Sequence, residues 1–130
     1  KNKFLNGLIL TNTTIQRDEL YKKPVKNSWK LGEEGGLSGT PLREKTNKII
    51  KSAYQLTDGK ITIIGVGGIS TGRDAFEKIS MGASLLQLYT SLIYQGPNVV
   101  VRILSDLSCS LKRKGLKNVS DLIGKNINYD

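Results

Sequence analysis

The chain has 130 residues, 20 of them lysine or arginine against 11 acidic, for a formal charge of +9. Its 38% hydrophobic content suffices for a packed core, and no apolar run reaches the roughly 18 residues of a membrane span. Histidine is absent and Cys109 is the single cysteine, which excludes histidine-based triads, an internal disulfide and a His/Cys metal cluster within this stretch.

Most of the positive charge is scattered as single lysines on polar helix faces, such as Lys45, Lys48 and Lys51. It reads as solvated surface rather than a nucleic-acid patch, because basic clusters interleaved with aromatics are missing. Lys112-Arg113-Lys114 stands at a helix C-terminus, where cations offset the dipole. No signal peptide is visible. The first residue is Lys1 and the only methionine is Met81, so the chain is expected to be a piece of a longer one or a processed product.

Residues 1–5 read as the tail of an element whose beginning is missing. Asn6-Gly7 is a turn, and residues 8–10 form a short, continuously apolar strand of the kind buried in parallel sheets. The strand runs into Thr11-Asn12-Thr13-Thr14. Four small hydrogen-bonding side chains at a strand's carboxyl end suit either turn capping or a grip on a planar polar ligand, since Asn is both donor and acceptor. Residues 15–36 form a lysine-rich connection containing Pro24, Trp29 and Glu33-Glu34, long enough to serve as a binding loop. Thr40 is the expected N-cap and Pro41 the first residue of a helix with a stripe of Ile49, Ile50, Ala53 and Leu56, ending at Asp58-Gly59.

A second strand, residues 61–66, opens the central motif: Gly65-Val66-Gly67-Gly68-Ile69-Ser70-Thr71-Gly72. Glycines there remove side chains, so backbone N–H groups and the next helix end can approach a phosphate. Two familiar glycine motifs do not fit. A dinucleotide fingerprint from Gly65 meets Ser70 where its third glycine belongs, and a P-loop read from Gly67 to Gly72 meets Arg73-Asp74 in place of Lys-Ser/Thr. A strand-end turn of a (β/α)8 barrel remains, with a ligand-free βα turn as the alternative. Thr71-x-x-Asp74 resembles a capping box ahead of a helix with Ala75, Phe76 and Ile79, closing at Gly82. Residues 84–89 make a third strand. Gly96-Pro97 starts a longer helix with a stripe of Val100, Ile103, Leu104, Leu107 and Leu111, ended by Gly115, and residues 119–123 form a last short helix. Cys109 lies off that stripe.

Strand–helix alternation implies a parallel sheet. The fold class is α/β, as the C-terminal portion of a (β/α)8 TIM barrel; three units are too few for a full barrel of about 250 residues, and an open doubly wound sheet is the competing architecture.

The motifs Gly7-Leu8-Ile9-Leu10-Thr11-Asn12-Thr13-Thr14, Gly35-Gly36-Leu37-Ser38-Gly39-Thr40-Pro41-Leu42, Ile63-Ile64-Gly65-Val66-Gly67-Gly68 and Gly82-Ala83-Ser84-Leu85-Leu86-Gln87-Leu88-Tyr89-Thr90 occur in one order. Together they resemble dihydroorotate dehydrogenase, in its membrane-associated, quinone-using class. The likeness extends from Gly7 to about Gly124, and Thr62 departs from it where the family usually has proline. The resemblance implies an FMN-binding barrel, of which residues 1–130 are the C-terminal part of a single domain. It implies oxidation of dihydroorotate to orotate with ubiquinone as acceptor, in de novo pyrimidine (UMP) synthesis. By motif, Asn12 and Thr13 would contact substrate, and Thr11 and Asn12 would lie near the flavin. Ser38, Gly39 and Leu42 would line the flavin. Gly67, Gly68, Tyr89 and Thr90 would hold its phosphate, flanked by Val66 and Leu88, and Tyr89 would border the quinone tunnel. The catalytic base and the N-terminal membrane-associated segment are expected upstream of Lys1, so the fragment alone is expected to be inactive. The implied location is the inner mitochondrial membrane in a eukaryote or the cytoplasmic membrane in a bacterium. Another FMN- or sugar-phosphate-binding barrel and a basic nucleic-acid module are the competing readings.

Overall fold

The computed structural model describes residues 5–17 and 34–127; residues 1–4, most of the long connection with Pro24, Trp29 and Glu33, and residues 128–130 lie outside the described part. Three strands, β1 (Gly7–Leu10), β2 (Thr62–Val66) and β3 (Leu85–Gln87), form one parallel sheet in the order β1-β2-β3. Leu10 stands opposite Gly65, and Gly65 opposite Leu86, so the carboxyl ends of the strands lie side by side.

Helix α1 (Arg43–Thr57) follows β1 after the long connection. It starts later than the sequence suggests. Thr40–Leu42 is a 3-10 turn, Gly39 precedes it with φ 83°, and Thr40 makes no cap, because the Pro41-containing turn has first to redirect the chain. The end is as expected: Asp58 adopts the left-handed conformation at the helix C-cap. Helix α2 (Gly72–Ser80) carries the capping box, with Asp74 N–H donating to Thr71 Oγ1 at 3.2 Å and Thr71 N–H donating to Asp74 Oδ2 at 3.0 Å. Next come a short helix α3 (Thr90–Gln95), which no local sequence pattern marks, and α4 (Asn98–Arg113), then a 3-10 turn at Val119–Leu122.

The helices cover one face of the sheet. Ile50, Ile63 and Ala83 pack with Leu10, Tyr54 and Leu86, while Ile69, Ala75, Val99 and Ile103 form a second cluster around Leu86 and Leu88. Two expected stripes are corrected. On α1, Leu56 is 86% exposed and the buried positions are Thr46 and Ile50; on α4, Leu104 is 59% exposed and Val99, Ile103 and Leu107 face the core. In each helix two apolar series run in parallel, and the one that meets the sheet is set by how the helix docks. The opposite sheet face, with Ile9 and Leu85, is exposed among the described residues.

Helices α2 and α4 touch where α2 begins. A Cβ on Gly72 would lie 2.2 Å from Asp106 Cβ and 3.0 Å from the Leu107 nitrogen. Gly72→Ala is therefore expected to push α4 outward and cost about 1–3 kcal/mol of stability, seen as a lower urea midpoint. An unchanged midpoint would show that the contact does not constrain the helix pair.

Candidate functional site

The three strand ends and the loop before α1 enclose a cavity of about 200 Å³. Every residue nominated from the sequence lines it. Thr11, Asn12 and Thr13 come from the end of β1; Ser38, Gly39 and Leu42 from the loop entering α1; Val66, Gly67 and Gly68 from β2; and Leu88, Tyr89 and Thr90 from the end of β3. Ile69, Ser70, Gln87 and Ser91 also line the cavity and were not singled out.

Hydrogen bonds explain how residues so far apart in sequence converge. Thr14 and Leu37 exchange backbone bonds of 3.1 and 2.7 Å, which lays residues 37–39 beside the end of β1. Thr90 Oγ1 then donates to Ser38 Oγ at 3.0 Å, and a Cβ on Gly39 would stand 3.1 Å from Thr90 Cγ2. Thr13 closes against Gly36, where no Cβ would fit beside its hydroxyl. Asn12 Oδ1 accepts the Thr13 N–H at 2.8 Å. Turn chemistry thus takes one end of that side chain, and its NH2 group remains to offer a ligand. Tyr89 lines the cavity at its rim and is 73% exposed.

The glycine turn serves packing more than the sequence suggests. A Cβ on Gly65 would meet the Lys78 stem at 2.8 Å, and one on Gly68 would fall 2.6 Å from the Arg43 nitrogen and Cα. The space left by the missing side chains is filled by the protein itself, so these glycines also permit close packing of Lys78 and Arg43 against the turn. Gly67 and Gly68 have φ 101° and 70°, conformations that glycine adopts without strain. Among the described residues, no acceptor is paired with their backbone amides.

Asp74 fixes the turn from behind. Its Oδ2 accepts from the Ser70 and Thr71 amides at 3.0 Å each and from the Thr71 hydroxyl at 2.9 Å, while Arg43 Nη1 reaches Oδ1 at 2.7 Å. Burial alone would raise the Asp74 pKa; hydrogen bonds from Arg43, the Ser70 amide and Thr71, with the Arg43 charge, outweigh it, and the net shift is downward. Beside this pair Lys78 is fully buried, its Nζ 2.6 Å from Thr46 Oγ1 and 2.8 Å from Asn47 Oδ1. Burial depresses its pKa to about 8, with Asp74 and Glu77 opposing and Arg43 adding to the shift.

Among the described residues, the cavity lining has no charged side chain. Its donors are hydroxyls, backbone amides and the side-chain amides of Asn12 and Gln87, and Ser91 Oγ is buried there without a hydrogen-bond partner among the described residues. An orphaned hydroxyl and unpaired glycine amides fit a ligand rich in acceptor oxygens, such as a phosphate ester. The volume is below the roughly 300–1,000 Å³ of a whole drug-sized site and suits one end of a larger ligand.

A family model described as dihydroorotate dehydrogenase matches residues 1–111. The chain belongs to the dihydroorotate dehydrogenase family. Two curated relatives are each 48% identical: "Dihydroorotate dehydrogenase (quinone)" of Trichodesmium erythraeum, over 122 residues, and "Dihydroorotate dehydrogenase (quinone), mitochondrial" of Mus musculus, over 120. Each alignment covers 92% of this chain, but only 32% and 29% of the relative, so the chain spans about a third of their length. The crystal structure of ligand-free DHODH from Eimeria tenella superposes with a TM-score of 0.85 at 43% identity, over 95% of this chain and 33% of that one. The three β/α units are accordingly a segment of a dihydroorotate dehydrogenase TIM barrel, not of an open doubly wound sheet. In such a barrel the strand faces alternate between helices and interior, which accounts for the bare face with Ile9 and Leu85.

Two predictions follow from the groups behind the turn. Asp74→Ala removes a buried anion that four donors share, and is expected to cost about 3 kcal/mol at neutral pH. Because the folded pKa is depressed, this contribution is present above the unfolded value near 4 and is lost as pH falls through the folded value. Denaturation of wild type and variant from pH 7 to pH 2 should show the gap narrowing; a constant gap would contradict the ion pair. Lys78 behaves oppositely. From about pH 8 to its ordinary value of 10.5 the unfolded chain still holds the proton that the folded chain has released, so stability rises with pH across that window. Relative to Lys78→Met, the wild type should gain on the order of 3 kcal/mol between pH 7.5 and 10.5. Parallel curves would mean that the ammonium is not buried.

Proposed function

We propose that the complete protein carrying this chain oxidises dihydroorotate to orotate, with FMN as cofactor and ubiquinone as electron acceptor, in de novo pyrimidine (UMP) synthesis. One observation carries this reading: the residues nominated by four separate motifs all line a single cavity at the carboxyl ends of the strands, where barrel enzymes hold their ligands. The quinone-class names of the relatives support the choice of acceptor.

Bound FMN supplies the two-electron redox chemistry, and this chain supplies position and polarity. Asn12 and Thr13 hold the substrate, Asn12 through the NH2 group that its turn leaves over. Thr11, Asn12, Ser38, Gly39 and Leu42 border the flavin. Gly67, Gly68, Tyr89 and Thr90 bind its phosphate through amides and hydroxyls, between Val66 and Leu88, and Ser91 adds a further hydroxyl. The 130 residues form the C-terminal part of a single barrel domain, whose remaining strands cover the face of Ile9 and Leu85. The catalytic base and the membrane-associated segment belong to that remainder. Its membrane is the inner mitochondrial membrane in a eukaryote or the cytoplasmic membrane in a bacterium, and nucleic acid is not a partner.

Dihydroorotate-dependent quinone reduction by the complete protein tests the assignment. Asn12→Ala is expected to lower kcat/KM about 10- to 100-fold, from the lost substrate hydrogen bond, with flavin content retained. The 130-residue chain alone should neither retain FMN nor turn over. Failure of dihydroorotate where another substrate is oxidised would overturn the reading.

A further inference from the structure

Among the described residues, Lys78 is the largest side chain wholly removed from solvent, yet its hydrogen-bond partners are neutral. Among the described residues, its ammonium makes no salt bridge, and Asp74 and Glu77 influence it only through space. Burying a charge without an ion partner is costly, and a hydrophobic residue of similar size would fill the space more cheaply. The contacts it makes indicate what the charge is for. Its stem crosses Gly65 of β2, and its Nζ donates to Thr46 Oγ1. That hydroxyl in turn lies 3.3 Å from the Gly67 carbonyl oxygen and 3.1 Å from that of Arg43.

Gly67 has no side chain to hold its peptide, and φ 101° puts it where backbone torsions are least constrained. The Gly67 carbonyl and the Gly68 N–H belong to one planar trans peptide and point in opposite directions. Drawing the carbonyl toward Thr46, on the helix side of the sheet, therefore aims the Gly68 N–H the other way, and both glycines line the cavity. The lysine charge also polarises the chain from hydroxyl to carbonyl to amide, which strengthens the amide as a donor.

We propose that Lys78, acting through Thr46, is a positioning residue for an anion subsite: the pair holds the Gly67 carbonyl so that the Gly68 amide faces the phosphate ester of the bound cofactor. This rests on the FMN reading above. Arg43 and Asp74 hold the other half of the same turn, so the backing consists of two linked devices, one at Ser70–Thr71 and one at Gly67. Among the described residues, the lining itself remains neutral.

The test compares FMN with riboflavin, which lacks the phosphate, on the apo form of the complete protein by quenching of flavin fluorescence. Thr46→Val keeps the shape and removes the hydroxyl, Lys78→Met keeps the stem and removes the charge, and Thr46→Ser restores the hydroxyl. Thr46→Val and Lys78→Met should each lower the FMN-over-riboflavin affinity ratio about tenfold, leave riboflavin affinity within about twofold, and leave Thr46→Ser close to wild type. Folded variants with an unchanged ratio would overturn the proposal, as would equal loss of both ligands, which marks a purely structural role. If Lys78→Met does not fold, Thr46→Val decides alone. A wild type that does not prefer FMN would instead overturn the parent reading.

Discussion

The buried Asp74 carboxylate is the constraint on which the ligand end of this fold depends. It gathers the Ser70 and Thr71 amides, the Thr71 hydroxyl and the Arg43 guanidinium within 3.0 Å, and so ties the start of α1 to the start of α2 across the end of β2. A turn bearing Gly67 and Gly68 has little conformational preference of its own. Its shape comes from the ends: β2 holds one side through the sheet, and Asp74 holds the other through the helix cap. Arg43 matters doubly, because its backbone also occupies the space beside Gly68.

The result is a site in two layers. Among the described residues the cavity lining is made of amides, hydroxyls and apolar groups, while the Arg43–Asp74 ion pair and Lys78 stand behind it. Charges placed this way avoid the direct ion pairing that would hold an anion in one rigid geometry. In the proposed phosphate site Asp74 offsets the Arg43 charge, and the Lys78 ammonium is the cation left to favour an anion, across protein that screens less than water does. Under the proposed function, hydrogen-bond donors with fixed orientation would select among anions by shape. The price of this arrangement is a lysine whose charged form is disfavoured by burial, with a pKa near 8.

Much of this was legible in the sequence, and what was not has identifiable causes. The three strands, the Thr71–Asp74 capping box and the helix stops at Asp58 and Gly115 follow from local patterns that tertiary packing left intact. The site was legible because hydroxyls, amides and glycines crowd the strand ends, where burial would otherwise select apolar residues. Helix faces were harder. On α4 the series Val99, Ile103, Leu107 and the series Val100, Leu104 are equally apolar, and only docking against α2 and the sheet selects the first. On α1 the burial of Thr46 has no local sequence signal, because its partner, Lys78, comes from 32 positions away. Lys78 itself resembles any helix lysine, and Ser91 any residue of a first helical turn; their burial is a product of the assembled fold. The short α3 escaped notice because six residues between Tyr89 and Gly96 carry too little periodicity.

The most direct measurement is the position of the phosphorus atom in a crystal structure of the complete protein with its flavin bound. Phosphate oxygens are expected at hydrogen-bond distance, about 2.7–3.2 Å, from the Gly68 amide and from Thr90, in the cavity between β2 and β3. A flavin whose phosphate lies elsewhere, with the Gly67–Gly68 turn and Thr90 untouched, would contradict this expectation.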